Sequence, residues 1–548
     1  MHQPEYRDLH TGEFKLPWTY LHVIKDYVDM VAHLEAVPNA KAVVNFAPIL
    51  LEQIEEYARQ VDGYLHDHVT MTDSLLVALV GASMPANPDV RLRLIRDCLR
   101  ANRERQINRY PAYKKLAEIA DWLEQHYEAL TYINSQYLSD LLVWYHLAWI
   151  GETVKLTDSR VKHLIEKGCG YSLHDRNELL EIIGELLATV ICRYKVLAKK
   201  GQLELSVTPY AHPIMPLLLD IKSAHEATPA APLPELAVYP GGAARAAFHI
   251  DKGVQVFKRF FGFKPSGCWP SEGGISAQTL KMLGDFGFEW TASGGSVLHN
   301  SLNIAENTPP ASVHGPFKLK KTRVACFFRD DGLSDLIGFE YSKWHADDAV
   351  ADLLGHLERI AATEPDAVVS IIMDGENAWE YFPDNGYHFL SALYRRLAEH
   401  PTITLTTFAQ CLKDKVAVKP LSKLVAGSWV YGTFSTWIGD ADKNRGWDML
   451  GDAKITFDKT VAANRLTSKQ LKAAELQLAV CEGSDWFWWF GDYNPGEAVS
   501  NFEKQFRLNL ANFYRLLDEQ PPAYLALSFT QGSGAPAMGG AMRPGVEH

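Results

Sequence analysis

Two carboxylates in this chain stand where a strand hands over to a loop. In AVVSIIMDGENAWEYFPDNG the apolar run Val368–Met373 suits a strand buried on both faces, and Asp374 ends it, followed at once by Gly375. Barrels of parallel strands gather their catalytic groups at that end. Glu376, Asn377 and Trp379 then crowd two more polar groups and an indole into a few residues, which burial tolerates only where each finds a partner. In GCWPSEGGIS, Glu272 follows Trp269 and Pro270 and precedes two glycines, which let the backbone approach a ligand closely. Either stretch alone also reads as an ordinary turn. Taken as a pair at one rim, they match glycoside chemistry, in which one carboxylate attacks or stabilises the anomeric carbon and the other protonates the leaving oxygen.

Other stretches offer supporting groups. GQLELSVTPYAHPIMPLL runs a strand into a loop bearing His212, a residue that as often serves structure as chemistry. His2 and Gln3 stand at the opening of the chain, where a free terminus frays unless something holds it. Trp437 lies in GSWVYGTFSTWIGDADKNRGWD, and with SDWFWWFGDYN this makes a dense aromatic set, suited to packing between domains or to stacking against sugar rings. Asp440, Asp442 and Asn444 alternate like calcium ligands, but the glycine and distal glutamate of an EF-hand are missing. There is no GxxxxGK[ST], GxSxG or HExxH, so phosphate cradles, serine esterases and zincins lack their motifs.

The elements that must hold these groups follow from periodicity. KAVVNF (41–46) reads as a strand passing into a helix from Pro48 to Arg59, and further strands are expected at 203–208, 267–269, 288–293, 323–328, 367–373 and 402–407. Helical patterns lie between most of them, the signature of an α/β fold with parallel strands. A helical insertion is expected at about 86–200, with Asp175 as the N-cap of its last helix, Glu178 as capping partner and Gly201 as its close. We expect a catalytic unit over 1–415, a helical C-terminal domain over 416–520 and a flexible tail over 521–548.

The 548 residues are 47% hydrophobic and 22% charged, a soluble globular balance, and the net charge of −12 argues against a nucleic-acid partner. The seven cysteines are scattered singly and suit a reducing compartment. No apolar run approaches the ~20 residues of a membrane span, so we expect a cytoplasmic protein with no membrane partner.

The order HQP, GQLEL…TPYAHP, GCWPSE, MDGENAW and TWIGDADKNRGWD resembles the ordered sequence regions of glycoside hydrolase family 57, over residues 2 to about 515. The stretches 139–151, WFWWFGD and FRLNLANFYRLL resemble its amylase and amylopullulanase members. The resemblance implies an incomplete (β/α)7 barrel followed by an α-helical C-terminal domain, acting on α-glucans or maltooligosaccharides with retention as an amylase, amylopullulanase or 4-α-glucanotransferase. It implies Glu272 as nucleophile and Asp374 as general acid/base, with no metal or other cofactor. His2, Gln3 and His212 would lie near the bound sugar, and Trp269, Trp379 and Trp437 would line it. Relatives carry a short strand just before HQP, so we expect a first strand to be missing here and about ten further residues upstream.

Two other readings compete. A metal-dependent mannosidase- or deacetylase-like enzyme would need an Asp/His ligand cluster, and His2 has no nearby aspartate in the sequence. A glycan-binding protein without turnover would use the indoles alone.

Overall fold

The computed structural model describes residues 1–302 and 312–534. Seven strands form one sheet: β1 (Ala42–Phe46), β2 (Leu203–Val207), β3 (Gly267–Cys268), β4 (Trp290–Ser293), β5 (Pro316–Leu319), β6 (Ala325–Phe328) and β7 (Lys419–Leu421). Their spatial order is β1-β2-β3-β4-β6-β5-β7, and every pairing is parallel except β5 with β6. Helices cross between the parallel strands, so the strands' carboxyl ends converge on one side, where open α/β sheets bind ligands. The architecture is the α/β sheet of an incomplete barrel with a helical part behind it.

Several strand expectations are corrected. Residues 402–407 form no strand, and of 367–373 only Ser370 pairs, in a parallel bridge to Arg329. A β-like pattern is met there by extended chain whose apolar side chains, Val369, Ile371 and Leu405, pack on helices instead. β7 lies beyond residue 415 and pairs with β5, so the sheet reaches into the span expected as a helical C-terminal domain. Met1 lies along the β1 edge opposite β2, donating from its ammonium to Asn45 O (2.9 Å) and accepting from Ala47 N (3.0 Å).

Between β1 and β2 the chain is helical, as expected, closing on the helix Leu173–Lys199. Its N-cap is Ser172, with Asp175 as the reciprocal partner three residues on, so the capping box sits three residues earlier than expected. The C-terminal helices Ala441–Ala462, Ser468–Cys481, Ser484–Trp489 and Gly496–Leu516 share one continuous core with β1 and β2. Asp440 caps the first of them, accepting from Asp442 N (2.8 Å), and Asn444 accepts from Gly439 N (2.9 Å); the alternating carboxylates are a helix start, not a calcium loop. Residues 523–534, expected in a flexible tail, are ordered: Leu525 and Thr530 are buried, and Gly534 N donates to Asn494 O. The tail expected beyond them, 535–548, lies outside the described residues. No helix among the described residues is long and apolar enough to cross a membrane.

One tight contact sets the sheet beside the site. A Cβ on Gly267 of β3 would sit 1.9 Å from the indole of Trp290, which is 1% exposed and donates to Glu204 (2.6 Å). We therefore expect Gly267→Ala to cost about 3 kcal/mol by overpacking, read as a lowered denaturant midpoint with an unchanged slope.

Candidate active site

The strand ends open into one cleft whose lining includes His2, Glu272, Arg329, Asp374, Trp429 and Asp485, with Phe339, Trp488 and Trp489 as its aromatic surface. Glu272 is placed by β3. After Cys268, Trp269 N still donates to Val207 O (3.1 Å), and Pro270 then turns the chain into a short helical turn, Ser271–Gly273. Within it Glu272 holds φ 57°, and Gly273 follows at φ 60°. A left-handed glutamate is costly, and such strain gathers at functional sites because the surroundings must hold it. Here Trp429 holds it twice, donating from its backbone N to Glu272 O (3.0 Å) and from Nε1 to Glu272 Oε2 (2.9 Å). Trp429 is itself braced edge-on by Trp269 (5.3 Å) and by the Arg329 guanidinium over its face (5.5 Å). Arg329 is pinned by Asp331 (3.1 Å), Asp335 (2.7 Å) and Ile372 O (2.9 Å).

Asp374 enters from the extended chain beside β6, with Asn377 Nδ2 donating to its Oδ2 (2.9 Å). Burial and the neighbouring Glu376 carboxylate push its pKa up. Burial also pushes Glu272 up, to about 7; the Asp374 charge adds to this, while the His2 cation and the Trp429 N–H pull the other way. Two carboxylates in one cleft share protons, so the pair takes its first charge at one of them and resists the second.

The opening residues are held from four sides. Besides Met1 on β1, His2 N donates to Glu376 Oε1 (2.7 Å), and that oxygen also accepts from the Tyr27 hydroxyl. The His2 ring stacks on His212 at 3.9 Å with 8° between planes, and its Nε2 meets Asp485 Oδ1 at 2.9 Å. Burial opposes the His2 charge, but Asp485, backed by Glu272 and Glu376, outweighs it and raises the pKa to about 10. His212 is the reverse: burial, the His2 charge and the terminal ammonium lower its pKa, so its ring is neutral. Its Nδ1 contacts Ser484 Oγ (2.8 Å) and lies 3.9 Å from Glu272 Oε1.

The absence of an aspartate near His2 in the sequence is thus overturned in space: Asp485 supplies one from the far end of the chain. His2, His212 and Asp485 bring ligand atoms within 4.8 Å of one another. They do not fit a metal as arranged. A ring nitrogen binds a metal in its own plane at about 2.1 Å, and two stacked, near-parallel rings 3.9 Å apart offer no point lying in both planes. The cluster is a hydrogen-bonded ion pair with a neutral imidazole over it.

Of the residues singled out in the sequence, Glu272, Asp374 and His2 line the cleft, and His212 stacks behind His2. Trp269 stands behind Trp429, and Gln3 turns to accept from the Tyr6 hydroxyl (2.7 Å). Trp379 and Trp437 do not reach the cleft: both are buried in packed cores, Trp379 with Phe382 and Trp437 with Trp488. Asp485, Trp429 and Arg329 were not singled out. Asp485 occupies the first turn of the helix Ser484–Trp489, where an acidic residue ordinarily serves the helix dipole.

The model of glycosyl hydrolase family 57 matches residues 1–422. No curated protein matches the chain. Among solved structures, the GH57 branching enzyme of Thermococcus kodakaraensis matches with TM-score 0.56 at 15% identity, over 94% of this chain and 88% of that one. The GH57-type branching enzyme of Pyrococcus horikoshii gives 0.55 at 18% identity, over 94% and 88%, and the α-amylase AmyC of Thermotoga maritima gives 0.55 at 13% identity, over 94% and 91%. With three quarters of its length under the family model and its two carboxylates, Glu272 and Asp374, in one cleft, the chain belongs to glycosyl hydrolase family 57 and is a glycoside hydrolase.

Proposed function

We propose that this enzyme cleaves α-1,4-linked glucans with retention, through a glycosyl-enzyme intermediate on Glu272. The observation that carries the reading is the unequal setting of the two carboxylates. Trp429 Nε1 can only donate, so it fixes Glu272 Oε2 as an acceptor and leaves Oε1 as the free oxygen. Burial and the Glu376 carboxylate both favour the protonated form of Asp374, which suits it to giving a proton. In the first step Oε1 bonds to the anomeric carbon as the glycosidic bond breaks, and the Asp374 proton passes to the leaving oxygen. In the second, water or a sugar hydroxyl gives its proton back to Asp374 and its oxygen to the anomeric carbon, releasing Glu272.

The surroundings support a neutral sugar as substrate. Trp488, Trp489 and Phe339 offer ring faces to the CH faces of glucose units. Asp485 Oδ2 is buried without a hydrogen-bond partner, and we assign it a sugar hydroxyl. The neighbours named as branching enzymes and as an α-amylase support an α-glucan as the class.

Hydrolysis and transfer differ only in the acceptor of the second step, so products separate them. We expect the purified enzyme to convert maltoheptaose, with chromatography showing only shorter oligosaccharides for a hydrolase and longer ones as well for a transferase. No turnover of maltoheptaose or glycogen, by a protein shown to be folded, would overturn the proposal.

A further inference from the structure

Behind the cleft lies a second knot of charge that this chemistry does not use. Glu482, 1% exposed, follows the helix Ser468–Cys481 and stands three residues before Asp485. Its carboxylate accepts from the Tyr239 hydroxyl (2.6 Å), from Arg245 Nε (2.8 Å) and Nη2 (2.9 Å), and from His249 Nε2 (2.8 Å). Arg245 and His249 lie on the helix Gly242–Phe261, and Arg245 also donates to Glu475 O (3.1 Å). His249 Nδ1 accepts from Ala211 N (3.4 Å), so its ring is neutral with the proton on Nε2, in keeping with a pKa lowered by burial. The knot is therefore one ion pair, Arg245 with Glu482, wrapped in neutral donors. A buried ion pair is a poor source of stability, because desolvation offsets most of its attraction, and its best-attested use is to fix registry.

Two routes lead from the knot to the cleft. Along the first, Gly483 passes so close to Ala211 O that a Cβ would sit 2.9 Å away. Ser484 N then donates to His212 O (2.9 Å), and Ser484 Oγ meets His212 Nδ1. Along the second, His249 O accepts from Tyr210 N (2.9 Å) while its ring accepts from Ala211 N. The first route ends on Asp485 and the second on His212, the two groups packed against the His2 ring.

We propose that Glu482, with Tyr239, Arg245 and His249, is a positioning device that sets Asp485 and His212 against His2 and so fixes the His2 ring in the cleft. The other charges facing His2 are Glu272, Asp374, Glu376 and the Met1 ammonium, and none of these touches the knot. The kinetic consequence rests on the proposed glucan chemistry; the placement does not.

The test uses two substitutions that keep the net charge, so that any change at His2 reports position and not a lost field. Arg245→Lys loses the guanidinium fork, and Tyr239→Phe loses one hydroxyl. Histidine ring resonances of the intact protein are titrated by NMR through the alkaline range, with His2→Gln identifying the His2 signal. We expect the wild-type His2 to titrate near about 10, and Arg245→Lys to lower this by about one unit, with Tyr239→Phe lowering it by less. On maltoheptaose, kcat is expected to fall about tenfold in Arg245→Lys with KM changed by less than about twofold. Should Arg245→Lys not fold, Tyr239→Phe decides alone. A wild-type His2 titration in each variant that folds overturns the proposal. If no form turns over the glucan, the functional reading fails, and the NMR result still judges the device.

Discussion

Replacing Glu272 by glycine is expected to lower kcat on maltoheptaose by about 10⁵-fold, the scale seen when a covalent nucleophile is removed. Glycine is the informative choice. Glu272 holds φ 57°, a conformation that glycine adopts without strain, so the turn between Pro270 and Gly274 keeps its path while the carboxylate leaves. The space left faces the anomeric carbon with Asp374 still able to protonate the leaving oxygen, so added azide takes the nucleophile's place. The product is then the β-glucosyl azide, inverted relative to the α-glucan, identified by NMR of its anomeric proton. An α-azide, or activity close to wild type, would sink the assignment of Glu272. A stability change of definite sign accompanies the loss. Glu272 binds its proton more tightly folded than unfolded, with its pKa raised to about 7. It therefore costs the fold nothing at low pH and an amount that grows as pH rises through the ordinary carboxylate range, complete above about 7. Glu272→Gln is expected to be about 2 kcal/mol more stable than wild type above that pH and no different in acid, as read by denaturant melts at both.

What was legible in the sequence is what is encoded locally. Asp374 and Glu272 each follow apolar strand-like runs and precede glycine, and the structure puts both in one cleft, Glu272 beyond the carboxyl end of β3 and Asp374 beyond the bridge at Ser370. The helical block before β2 shows its 3.6-residue period, while its cap lies three residues before the one expected. Long-range partners leave no such mark. Asp485 pairs with His2 across 483 residues, and at the first turn of a short helix it has the look of a residue serving that helix alone. The aromatic set divided in a way that composition does not dictate. Trp488 and Trp489 line the cleft, whereas Trp379 and Trp437 went to cores, where burying an indole returns more than leaving it beside water. The runs at 367–373 and 402–407 have the right residues for strands, but a strand also needs a neighbour's N–H and C=O groups along its length. Only Ser370 finds them, because the chain beyond Arg329 turns at once into the helix Asp331–Asp335.

Asp374→Asn should leave a different imprint from the loss of Glu272, and the contrast separates the two roles. Without a proton donor, the first step on maltoheptaose is expected to slow about 10³-fold, within the usual range for general acid catalysis. α-Glucosyl fluoride, whose leaving group needs little protonation, should still transfer its sugar to Glu272 and release fluoride in a burst, because the second step lacks the base that activates water. Azide needs no base, so it should restore turnover and give the α-glucosyl azide, the opposite anomer to that from Glu272→Gly. The pH profile carries an independent sign. The Asp374 carboxylate is one of the groups that raise the pKa of Glu272 to about 7, and the amide removes its charge while Trp429 still donates to Oε2. The pKa of Glu272 then falls, and the acid limb of the azide-rescued rate moves to lower pH than the acid limb of wild type. An acid limb that stays in place, or moves up, would mean that the two carboxylates do not share a field in the working enzyme, and the assignment of Asp374 as the proton donor to the glycosidic oxygen would fall with it.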